Sequence, residues 1–118
     1  GITNSQGVTV KENMFYADAR CVELTNVDRG PYFPLKNIAM VGNQCALWTD
    51  FAGIMTVGDF TNPAAMNIQA DNNLYQPGSV NRLAWWENRV IGAAYTMTDL
   101  RQNYGWEQNG SAGNVSSP

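Results

Sequence analysis

Three stretches of the chain carry one pattern, and a repeated unit restricts the available architectures more than any other feature of a sequence. Gln6-Gly-Val-Thr-Val-Lys-Glu-Asn13, Asn43-Gln-Cys-Ala-Leu-Trp-Thr-Asp50 and Asn81-Arg-Leu-Ala-Trp-Trp-Glu-Asn88 each open on an amide side chain, run through apolar residues and close on Asn or Asp. Their first residues are 37 and 38 positions apart. A second echo follows in Cys21-Val-Glu-Leu-Thr25, Val57-Gly-Asp-Phe-Thr61 and Met97-Thr-Asp-Leu-Arg101, with a small residue (Ala17, Gly53 or Gly92) in between. The pattern divides the 118 residues into units 1–40, 41–79 and 80–118 of one domain. Residues 110–118, small and polar, are expected to fray.

Short runs rich in β-branched and aromatic residues mark strands at Val8–Val10, Arg20–Leu24, Cys45–Trp48, Ile54–Val57, Leu83–Trp86 and Ala94–Met97. Asn, Asp, Gly and Pro bound them. One helix is expected, at Pro63–Ala70, capped by Asn62 with proline at its first position. Each unit thus predicts a hairpin and a longer aromatic-bearing connection. Three such hairpins packed about an axis would bury a face that one cannot bury alone. The expected fold is all-β with a pseudo-threefold repeat of about 39 residues, as a β-trefoil or β-prism. Three propeller blades completed by a second chain are the alternative closed form.

Charged residues make up only 14% of the chain, and the seven Lys and Arg are scattered, so neither a nucleic-acid footprint nor a polybasic membrane anchor is present. No apolar run reaches the length needed to span a bilayer as a helix. There is no histidine, which removes the usual general base and the commonest zinc ligand. No phosphate-binding loop, nucleophile elbow or calcium loop occurs. The expectation is a protein without catalytic activity, metal or cofactor. Low charge with abundant Asn, Gly, Ser and Thr points to secretion, and Gly1-Ile-Thr-Asn reads as a mature or trimmed start. Cys21 and Cys45 either close a loop of 24 residues or remain as buried thiols.

Aromatics beside amides and carboxylates suit sugars, whose C–H faces stack on rings while hydroxyls find polar partners. Trp48, Asp50, Tyr75, Trp86, Asn88 and Trp106 are the candidate ligand residues. Trp85 and Trp86 are adjacent in a strand, so one faces the core and the other faces outward. Three units near 40 residues resemble the small lectins of the β-trefoil and β-prism classes. Arg82-Leu-Ala-Trp-Trp-Glu-Asn-Arg-Val-Ile, with Asp99 and Tyr104-Gly-Trp106, resembles a blade of the fucose-binding propeller lectins. There Arg82 and Trp106 would take two of the sugar-binding roles, while Ala94 stands where that family carries a glutamate. Val8 to Leu24 is similar to the opening hairpin of a βγ-crystallin Greek key, with Ala46-Leu-Trp-Thr-Asp-Phe-Ala-Gly53 opening a second. The resemblance to lectins implies up to three weak glycan sites, a glycan or glycoprotein partner and a possible homo-oligomer. A secreted interaction or structural protein (a protease inhibitor, effector or assembly subunit) is the alternative.

Overall fold

The computed structural model describes residues 1–17, 20–27, 34–47, 52–76, 82–87 and 91–115. Its strands are β1 (Ile2–Thr3), β2 (Gln6–Lys11), β3 (Met14–Ala17), β4 (Val22–Asn26), β5 (Lys36–Val41), β6 (Gln44–Leu47), β7 (Ala52–Gly58), β8 (Ile68–Asp71), β9 (Leu74–Gln76), β10 (Arg82–Trp85), β11 (Ala93–Ala94) and β12 (Ser111–Ala112). A single helical turn, α1 (Met97–Asp99), runs on into a π-helical stretch at Leu100–Tyr104.

The chain winds through three walls in rotation. The first wall stacks β2, β5 and β8; the second stacks β3, β6, β9 and β12; the third stacks β1, β4, β7, β10 and β11. Of the nine pairings among the described residues, only β10 with β11 is antiparallel. The molecule is therefore a three-walled parallel β-solenoid. Trefoils, prisms, propeller blades and Greek-key sandwiches are assembled from antiparallel neighbours, so the expected hairpin units are corrected. The repeat is corrected too. Val8 pairs with Ile38 and Ile38 with Ile68, Phe15 with Cys45 and Cys45 with Tyr75, each a step of 30 residues rather than about 39.

Two left-handed residues per turn of the solenoid make this spacing possible. Gly7, Asn37 and Asn67 have φ of 70°, 56° and 49° at the entrance to the first wall. Glu12, Gly42 and Asn72, with φ of 56°, 69° and 58°, turn the chain from the first wall into the second. Asn and Gly tolerate this region best, which is why they recur there.

Strand alternation then points one set of side chains inward. Ile38, Met40, Ile68, Ala70, Cys45, Tyr75, Val22, Leu24, Ile54 and Ala84 form one core, with Val8, Val10 and Phe15 at its near end. Full burial of each large aliphatic side chain contributes about 1.5–3 kcal/mol. Cys21 and Cys45 are bonded, with Cα atoms 6.0 Å apart, and tie the first turn of the solenoid to the second. A disulfide is compatible with an extracellular protein. None of the described helices is long and apolar enough to cross a membrane.

The far end of the core is closed by rings. Phe60, Trp86, Tyr104 and Trp106 pack edge-on or tilted, with centroids 4.9–5.9 Å apart. The buried indoles donate to carbonyls, Trp86 to Thr61 and Trp106 to Ile68, both at 2.8 Å. The helical stretch that delivers Tyr104 starts on a capping box at Thr96 and Asp99. Residues 63–67, expected as helix, form a turn, and Ile68–Asp71 is strand β8; Asn62 caps that turn by accepting from the Ala65 amide at 2.8 Å. Nor does the described part of the tail fray: β12 adds to β9, and the amide of buried Val115 donates to Gln76 Oε1 at 2.7 Å.

Candidate functional site

Alternation on the third wall sends Glu23, Met55 and Trp85 outward in one register row, at successive strands of the stack. Thr25 and Val57 lie in the next row. The same register sends Val22, Ile54 and Ala84 into the core. Sheet spacing of about 4.8 Å puts Glu23 and Trp85 about 10 Å apart along the stack. Trp85 is 36% exposed, and the Arg82 guanidinium lies 5.6 Å from its ring centroid, within cation–π range. Arg20 Nε stands 2.5 Å from Glu23 Oε2, and its Nη1 lies 3.6 Å from Met55 Sδ. Thr25 Oγ1 donates to Glu23 Oε1 at 3.4 Å. This wall therefore presents a flat ring, a thioether and an adjacent donor–acceptor pair to solvent. An exposed ion pair of this kind contributes little to stability.

The expected ligand residues are placed otherwise. Tyr75, Trp86 and Trp106 are core residues, each no more than 2% exposed, so as sugar-stacking rings they are corrected. Trp48, Asp50 and Asn88 lie outside the described residues. Of the tryptophan pair, Trp86 is the inner member at 1% exposure, which leaves Trp85 as the one available to a ligand. Pattern matching selected Trp86 because it aligned with Trp48. The signal that would have chosen Trp85 is the shorter repeat, which aligns it with Met55 and Glu23.

Inside the solenoid, the corner between the first and second walls holds a column of amides. Asn43 Oδ1 accepts from the Asn13 backbone N–H at 3.0 Å and from its Nδ2 at 3.2 Å. Asn73 Oδ1 accepts from Asn43 in the same way, at 2.8 and 3.1 Å. Glu107 ends the column: its carboxylate accepts from the Asn73 N–H at 3.1 Å, Asn73 Nδ2 at 2.7 Å and Tyr75 Oη at 2.5 Å. Burial pushes the Glu107 carboxyl above the ordinary carboxylate range, against the pull of those donors. Burial and the neighbouring carboxylate likewise raise Tyr75. The group is enclosed and fully engaged within the fold, which makes it a structural terminus and not a reagent.

A cleft of about 540 Å³ lies where the third wall turns into the first, lined in part by Asn26, Leu35, Lys36, Asp59 and Phe60. Its buried amide is committed to backbone, Asn26 donating to the Asp59 carbonyl and accepting from the Leu35 amide. Nothing polar and buried is left aimed into it by that residue. Among the described residues no group of three or more Cys, Asp or Glu side chains is placed to hold a metal ion. Comparison with known proteins returns no matching family model, no matching curated protein and no matching solved structure.

Proposed function

We propose that the protein is a secreted carbohydrate-binding module whose glycan site is the outer face of the third wall. The observation that carries this reading is the exposed Trp85 ring in one row with Met55 and Glu23, flanked by Arg82 and Arg20. A pyranose laid on the indole meets an apolar face. Its hydroxyls then find a carboxylate to accept from them and guanidinium groups to donate to them. The row is as long as a short oligosaccharide, so one extended site replaces three equivalent ones. The Cys21–Cys45 bridge supports the secreted setting.

A glycan array probed with labelled protein tests the reading, with Trp85→Ala as the decisive variant. Saturable binding that free sugar displaces is expected, weakened about tenfold, or 1.4 kcal/mol, by Trp85→Ala with the thermal midpoint unchanged. An array without signal for the folded protein, or a Trp85→Ala variant that binds normally, would sink it. The alternative, a protein-interaction or assembly role, is favoured by a different feature, the uncovered strand edges at one end.

A further inference from the structure

The two ends of the solenoid are finished differently. At the far end every wall is covered. Trp106 Nε1 and the Glu107 amide donate to carbonyls of β8 at 2.8 Å, β12 lies on β9, and β11 lies on β10. At the near end only the third wall is covered, by β1 on β4. The outer edges of β2 and β3 carry no strand among the described residues. Bare edges of this kind are ordinarily blocked, because their amides and carbonyls template further pairing.

The amide column shows what those edges are shaped to receive. Each inner Asn donates through Nδ2 to a carbonyl of the preceding turn, Asn43 to Val10 at 2.9 Å and Asn73 to Met40 at 3.0 Å. Asn13 instead turns back to Lys11 of its own strand, at 3.1 Å. Asn43 and Asn73 each accept two hydrogen bonds from the preceding Asn, yet no described group donates to Asn13 Oδ1. Around it the left-handed corner is already formed at Gly7 and Glu12, with Val8, Val10 and Phe15 only partly covered.

We propose that this end is a stacking face for one additional parallel coil supplied by a partner chain. The partner is a strand–corner–strand segment whose corner is a left-handed residue followed by Asn. That Asn donates its backbone N–H and Nδ2–H to Asn13 Oδ1, while its two strands pair with β2 and β3. A second copy of this chain does not fit the role. Parallel stacking would require its far end, which is covered, and pairing two near ends reverses the strand direction on which the column depends.

The probe is a fluorescent peptide copying residues 36–47, with Cys45 replaced by Ala, which carries Gly42-Asn43 between its two strands. Anisotropy with the intact protein is expected to saturate at one peptide per chain, and hydrogen exchange to slow at β2 and β3 amides. Asn13→Ala in the protein, or Asn43→Ala in the peptide, should each weaken binding at least about tenfold. The peptide variant leaves the protein untouched, so a folding defect of Asn13→Ala does not blunt the test. No saturation at millimolar peptide overturns the proposal. Equal binding of the Asn43→Ala peptide does the same, as does sedimentation showing the edges consumed in a dimer of this chain.

Discussion

Asn43 satisfies four groups at once: two donors from Asn13, the Val10 carbonyl and the Oδ1 of Asn73. Replacing it with Ala removes all four bonds at a buried corner. An unsatisfied buried group costs about 1–3 kcal/mol, and losses along a chain of amides compound. Asn43→Ala is therefore expected to lower stability by about 3 kcal/mol in urea denaturation. A loss below 1 kcal/mol would mean that water substitutes for the column. Glu107 adds a pH dependence. Its folded-state carboxyl titrates above its unfolded value, so its contribution to stability is full below the unfolded value and falls as pH rises through the folded one. Subtracting the Glu107→Gln stability profile from that of the wild type isolates this component. The difference should decline from about pH 4 toward neutrality; a flat or rising difference contradicts the assignment. Asp71, held low chiefly by the Asn109 side chain and amide, acts in the opposite direction and is common to both proteins, so it drops out of the subtraction. At this scale the sequence was informative about chemistry and silent about partners. Asn13, Asn43 and Asn73 are visible in it, but Asn is ordinary turn chemistry, and only three-dimensional stacking distinguishes a column from three turns.

Strands were largely legible and their pairing was not. Val8–Val10, Cys45–Leu47, Ile54–Val57 and Leu83–Trp85 fall within observed strands because alternation and β-branching describe a pleated surface. Nothing in alternation says which neighbour a strand takes, and adjacent strands joined by Asn-rich corners resemble hairpins. Ala94–Met97 was expected as strand, yet only Ala93–Ala94 pairs, since the capping box at Thr96 diverts the chain into helix. One element boundary depends on a single atom's absence. Gly58 ends β7 at φ 104°, where an added Cβ would stand 2.1 Å from the Asn26 carbonyl oxygen, the oxygen that also accepts from the Asp59 amide. Gly58→Ala must separate β4 from β7, and a loss of about 3 kcal/mol is expected. A variant with the wild-type urea midpoint would show that this edge yields freely.

At the level of the whole molecule, contacts run between each turn of the solenoid and the next, so the chain resembles a short one-dimensional array. Its far end is held by four rings and by Glu107. Its near end depends on the disulfide, which closes 24 residues between the first two turns. Reduction should cost about 3 kcal/mol. Amides of β2 and β3 should then exchange before those of β8 and β9; uniform loss of protection would argue against end-first opening. The cysteine pair was legible as one of two alternatives, but the repeat length was misjudged. Dividing the chain by three absorbed the non-repeating cap, residues 95–115, into a false third unit. The true interval is the one that superimposes Asn13, Asn43 and Asn73, and it has a consequence for how such chains vary in length. From Lys11 to Met14, Val41 to Gln44 and Asp71 to Leu74, the amide corner keeps the same count in every turn. The third-wall register of β4 on β7 instead runs at 32, from Val22 to Ile54, and returns to 30 by Ile38 and Ile68. One corner therefore acts as a fixed gear tooth while the other two take up slack, and insertions in related molecules belong at those two and never beside the asparagines.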